Sequence, residues 1–164
     1  MKCIECNKKM TSMREVYHYT ESGLDNVYLD TDVHTCAKCR ESVVDIPNIY
    51  GLHEMVAEGL VKKPYLLKGK EIRFIRKFLH LKAVELAKIL GVDKVTVSRW
   101  ENDTAQISVA NDKLIRLIYV QKYQEKCDII LEIMKYIELI RPTTKSPKIT
   151  ISKEDMQKAP ACSF

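Results

Sequence analysis

Leu86-Ala87-Lys88-Ile89-Leu90-Gly91-Val92-Asp93-Lys94-Val95-Thr96-Val97-Ser98-Arg99-Trp100-Glu101-Asn102 decides the fold. It holds two short helical patterns with a glycine between them. Leu86 and Leu90 recur at helical spacing and face inward. Ala87 sits at the crossing, where a small side chain lets a second helix approach. Gly91 can take positive φ and end the first pattern. Val92 plugs the turn, and Asp93 suits the N-cap of a helix from Lys94 to Glu101. Val97 and Trp100 point inward, leaving Lys94, Val95, Thr96, Ser98 and Arg99 outward. Upstream, Ile72, Ile75 and Leu79 predict a supporting helix over residues 70–79, and the second helix spans Ala83 to Leu90. The competing reading, a plain antiparallel helix pair, leaves unexplained the succession of small residue, glycine turn, cap and Ser-Arg outer face.

That outer face suits a DNA major groove. Arg99 can reach a guanine O6 and N7 together, and Lys94 a base or a phosphate. Val95 and the Thr96 methyl can pack on thymine methyls. The Thr96 and Ser98 hydroxyls can hold phosphates, as can Asn102 just past the helix. Charge agrees. The chain is +5 overall, but residues 62–100 hold eleven Lys and Arg against Glu71, Glu85 and Asp93, a local net of +8. A basic middle between acidic ends predicts a localised anionic partner, with double-stranded DNA foremost and a solvated lysine-rich face as the competing reading.

Outward from this stretch, residues 1–46 hold four of the six cysteines. Cys3-x-x-Cys6 and Cys36-x-x-Cys39 are separated by the 29 residues 7–35. Two cysteines three apart can place both sulfurs on one metal at ~2.3 Å, and two such pairs complete a tetrahedron. Four thiolates around Zn2+ leave no open position, so the predicted site, one structural zinc per chain, cannot activate water. Unrelated thiols, two disulfides or an iron centre are the competing readings. Lys2, Lys8, Lys38 and Arg40 would offset the site's negative charge. His34 reads as a strand-end surface residue rather than a ligand, Cys127 as a core thiol and Cys162 as unliganded. No base, nucleophile and open metal converge anywhere in the sequence, which argues against an enzyme.

Between the cysteine pairs, Met13 to Thr20 and Asn26 to His34 predict two strands joined by a turn at Glu21-Ser22-Gly23. Residues 47–69 form a connecting segment: Ile49, Leu52, Val56 and Leu60 predict a short amphipathic helix with Pro47 near its start. The third section is 70–140. Its apolar positions Leu114, Leu117, Ile118, Ile130, Leu131, Met134 and Ile137 predict an added helical element that makes a homodimer, or else completes the core. Residues 141–164 lose periodicity and predict a flexible tail. With 46% hydrophobic and 30% charged residues, the class is mainly α with a small N-terminal zinc-bound β module. No apolar run reaches the ~18 residues needed to cross a bilayer. The start Met1-Lys2-Cys3-Ile4-Glu5-Cys6 carries no apolar signal. A cytoplasmic protein without a membrane partner is expected.

The stretch Leu86 to Asn102 resembles the lambda-repressor-like (XRE) helix-turn-helix. Met1-Lys2-Cys3-x-x-Cys6 with Cys36-x-x-Cys39-Arg40-Glu41-Ser42 resembles the YgiT-type zinc finger. In this order the two are similar to MqsA-type antitoxins. The resemblance implies zinc on Cys3, Cys6, Cys36 and Cys39, and base reading by Lys94, Val95 and Arg99. It implies a structural ion pair between Arg76 and Glu101. It further implies a dimeric repressor of its own promoter that neutralises a toxin protein. Lys82-Ala83 departs from the Thr-Gln or similar pair that usually opens the second helix. The phosphate contact of that Gln cannot be made, and Lys82 is its substitute. The alternative function is a stand-alone or mobile-element regulator whose zinc module is structural or senses metal or redox state, with no toxin.

Overall fold

The computed structural model describes residues 1–122, Tyr136 and 148–158. They divide into two compact units, 1–55 with 148–158 and 56–122 with Tyr136.

The first unit is a four-stranded sheet. Strand β1 (Thr11–His18) pairs antiparallel with β2 (Val27–Thr35) over its whole length, from Thr11 opposite Thr35 to His18 opposite Tyr28. The connection is a 3-10 turn, Thr20–Ser22, closed by Gly23 at φ 77°. Strand β2 alternates buried and half-buried residues: Val27, Leu29, Thr31 and Val33 face the core. Its second edge is shared. Strand β3 (Ser42–Val44) takes Val33–Thr35 antiparallel, and β4 (Ile149–Ser152) takes Val27–Asp30 in parallel.

The sequence reading of 141–164 as a flexible tail is therefore corrected over 148–158, which form β4 and helix α6 (Lys153–Lys158). Ile-Thr-Ile-Ser is too short a period-2 pattern to predict a strand by itself. Its partner, β2, lies more than a hundred residues upstream.

Helix α1 (Ile49–Lys62) begins in the first unit. Its buried residues Leu52, Val56, Ala57, Leu60 and Val61 follow the predicted spacing. The second unit continues with α2 (Gly69–Phe78), α3 (Ala83–Leu90), α4 (Lys94–Glu101) and α5 (Val109–Lys122). Helices α2 and α3 pack on α4, and α3 on α5, around Ile72, Ile75, Leu86, Val97, Trp100 and Ile115. Gly91 ends α3 at φ 66°, and the Val92 N–H donates to the Ala87 carbonyl at 3.0 Å, which is the Schellman closure. Asp93 occupies the N-cap of α4 with extended backbone, but its carboxylate makes no capping bond.

Buried charge fixes the linker between α1 and α2. Arg116, fully buried, donates to Asp112 Oδ2 at 2.7 Å and to the carbonyls of Val61, Lys63 and Tyr65 at 2.6–2.8 Å. Asp112 also accepts the Leu67 N–H at 2.7 Å. Lys63 pairs with Glu71 in the core, where burial pushes the lysine below its usual pKa. Gly69 lies against the end of α4: a Cβ there would sit 2.5 Å from the Trp100 carbonyl oxygen and 2.8 Å from that of Glu101.

Elements beyond residue 122 expected to extend the third section, including Ile130, Leu131, Met134, Ile137 and the thiol of Cys127, lie outside the described residues. So does Cys162.

Candidate metal centre and outward helix face

The two cysteine knuckles are the same turn made twice. Asn7 donates its N–H to the Cys3 carbonyl, and Arg40 to that of Cys36, each at 2.9 Å. Cys3 donates its own N–H to Lys8, and Cys36 to Glu41, each again at 2.9 Å. The turning residue is left-handed in both, Asn7 at φ 56° and Arg40 at φ 62°. Each turn lifts two sulfurs to one side. The four meet: Cys3 to Cys39 and Cys6 to Cys36 are both 3.4 Å apart, Cys6 to Cys39 is 3.7 Å, and all four lie within 4.8 Å of one another.

A tetrahedron with metal–sulfur bonds of ~2.3 Å has edges of roughly 3.8 Å, so the donor set fits one tetrahedral ion. Cys3 and Cys36 are buried with Met10, and Cys6 and Val43 flank them. Backbone N–H groups of Cys39 and Lys38 aim at the Cys36 sulfur and lower its pKa to about 6, whereas the neighbouring cysteines push Cys39 up to about 12 and Cys6 upward. Four sulfurs crowded without a cation share their protons, and a metal would have to displace them. His34 lies on β2 outside this group.

In the second unit the outward face of α4 carries Lys94, Val95, Ser98 and Arg99, all exposed, with Thr96 half-buried. Val95 is 60% exposed, a large apolar side chain with no core role. Among the described residues Lys94, Arg99, Lys88 and Lys82 have no ion-pair partner. Lys82 stands at the N-cap of α3, where Glu85 accepts its backbone N–H at 2.6 Å and leaves the ammonium free.

The inner side is different. Arg76 meets Glu101 with two bonds, Nε to Oε1 at 2.5 Å and Nη2 to Oε2 at 3.0 Å, and also donates to the Leu81 carbonyl at 2.9 Å. Sequence reasoning missed Arg73, which adds a bond to Glu101 Oε2 at 3.3 Å and one to Asn102 Oδ1 at 2.7 Å. Asn102 in turn donates to the Ser98 carbonyl at 2.8 Å. The side chain expected at a phosphate is thus held between α2 and the last turn of α4. It missed Asp103 as well, whose carboxylate accepts the Gly69 N–H at 2.7 Å. Arg73 lies one turn before Arg76, and that spacing is the signal that could have found it.

A four-cysteine cluster able to hold one metal ion, followed by a helical unit in which Gly91 turns α3 into α4, defines a two-part protein. The family model described as the antitoxin component of bacterial toxin-antitoxin systems, MqsA, matches residues 1–130. The chain belongs to the MqsA antitoxin family. No curated protein matches it. Among the described residues, no helix is long and apolar enough to cross a membrane.

Proposed function

We propose that the protein is a sequence-specific, DNA-binding transcriptional repressor and the antitoxin of a type II toxin-antitoxin pair. It represses its own operon and neutralises a toxin protein in the cytoplasm. The observation that carries the DNA-binding part is the division of cations in the helical unit. Arg73, Arg76, Lys63 and Arg116 are bound to carboxylates, whereas Lys82, Lys88, Lys94 and Arg99, around α3 and α4, have no ion-pair partner among the described residues. Cations gathered on two consecutive helices without carboxylate partners serve an anionic partner. Arg99, one turn beyond Val95, is the candidate for bidentate contact to guanine. Lys94, Val95 and Thr96 complete the base-reading set, while Lys82 and Ser98 hold phosphates. Arg76 and Glu101 fix α4 on α2, and Asn102 steadies its end.

The protein acts as a homodimer on a two-fold operator, with half-sites about one helical turn or a multiple apart. Leu114 and Leu117, exposed on one side of α5, are the described residues that suit such an interface. One zinc per chain is held by Cys3, Cys6, Cys36 and Cys39, and it is structural because four thiolates close the coordination sphere. The metal module is the toxin-binding part, since the α4 face is committed to DNA.

The test is titration of an operator duplex and a scrambled duplex at two salt concentrations. Arg99→Ala is expected to weaken operator binding by ~1–3 kcal/mol and to relax preference at one base position. Lys82→Ala should weaken both duplexes alike and lower the salt slope by about one ion. Equal loss on both duplexes for Arg99→Ala would remove α4 from the major groove. The toxin half is tested by co-expression with the adjacent reading frame. Absence of both growth rescue and co-purification leaves a stand-alone regulator.

A further inference from the structure

Strand β2 has one edge with two unlike neighbours. Over Val33–Thr35 it is covered by β3, which follows closely in sequence. Over Val27–Asp30 it is covered by β4, which arrives from the far end of the chain and pairs in parallel over four residues. The segment lies beyond the residues 1–130 matched by the family model, so family membership assigns it nothing.

Its attachment has a definite chemistry. Ile151 and Met156 are the buried anchors. Lys153 sits between Asp32 and Asp45, with Nζ 2.8 Å from Asp45 Oδ2. Glu154 accepts two bonds of 3.0 Å from the Arg14 fork. Lys148 lies 4.0 Å above the Tyr28 ring.

The seat is built to survive departure of its occupant. Arg14 keeps Asp30, bonded at 3.1 and 3.2 Å, when Glu154 leaves. Asp32 and Asp45 are already 35% and 39% exposed, so water can replace Lys153 without stranding a buried charge. Exposed pairs of this kind are screened by salt. A parallel ladder of four residues is also weaker than the eight-residue antiparallel one beside it.

We propose that the Val27–Asp30 edge of β2 is a strand-acceptor groove and that residues 148–158 are its detachable ligand within the same chain. Recognition rests on Ile151 and Met156 as anchors and on the adjacent Lys153 and Glu154, read by Asp32, Asp45 and Arg14. When the segment leaves, the groove takes another strand with the same pattern.

Hydrogen exchange of the full-length, metal-loaded protein tests this. From about 0.05 to 1 M salt, the amides of β4 are expected to exchange at least tenfold faster while the β1–β2 ladder keeps its protection. Lys153→Glu should do the same at low salt. Met156→Asp should release the segment at any salt. A labelled peptide of residues 147–158 should then bind full-length Met156→Asp or Lys153→Glu protein, whose groove is unaltered, at least tenfold more tightly than the unsubstituted chain. The proposal is overturned if β4 and β1–β2 amides exchange together in every chain. It is equally overturned if the peptide binds neither released variant while their β1–β2 amides stay protected.

Discussion

The two units are held together by opposite means. At the cysteine end of the sheet the side chains buried together are Cys3, Met10 and Cys36, and the ion pairs around β1, β2 and α6 are exposed or half-buried. The helical unit has an apolar core running from Ile72 to Ile115, and its main ion pairs, Arg116 with Asp112 and Lys63 with Glu71, are inside. One unit adds to its sheet core a set of four cysteines able to hold a metal. The other carries charge in its interior because linker carbonyls that no helix bonds must be satisfied there. The first should respond to chelators and salt, the second to neither.

Removal of the metal is the sharpest way to break this contrast. Chelation or Cys36→Ser is expected to cost the first unit on the order of 10 kcal/mol, enough to unfold it. The helical signal of the second should persist. Circular dichroism with elemental analysis reads both, and a single shared transition would erase the distinction. Next in size is Arg116→Ala. It leaves Asp112 buried without a counter-charge and three carbonyls without a donor, and should destabilise the helical unit by about 3–5 kcal/mol in urea unfolding. A normal zinc content in that variant would show the two units to be independent.

Gly69→Ala comes third. Its methyl would lie 2.5 Å from a backbone oxygen that α4 cannot withdraw, and a loss of about 1–3 kcal/mol is expected from the thermal midpoint. An unchanged midpoint would mean that α2 and α4 do not meet so closely. The smallest effect belongs to Arg40→Gly. Relief of the left-handed backbone is nearly offset by glycine's added freedom in the unfolded chain, so stability should change by less than about 1 kcal/mol. Chelator competition would detect it.

Much of this was legible beforehand, for reasons particular residues make plain. Gly91 and the inward run Leu86, Leu90, Val97 and Trp100 marked α3 and α4 to their ends, because a glycine stop and helical periodicity are local signals. The cysteine spacing was legible for the same reason. What escaped was non-local or disguised. Arg116 and Asp112 are four apart on a helix, a spacing that solvated pairs share. Their burial depends on the linker carbonyls they meet. Strand β4 offers two isoleucines near a proline, and nothing nearby names β2 as its partner. Leu114 and Leu117, read as part of a dimer-making helix or else of the core, are exposed, and the core side of α5 is Ile115, Tyr119 and Val120, which that reading did not single out.

The placement of β4 also gives the protein a history during synthesis. All four cysteines and strands β1 to β3 are complete by residue 44, whereas β4 begins at 149. At a synthesis rate of ~5–20 residues per second, the ribosome needs roughly 5–20 s to make what lies between. For that interval the newborn first unit has its β2 edge bare from Val27 to Asp30, and any strand that reaches it then meets no competitor from the chain's own end.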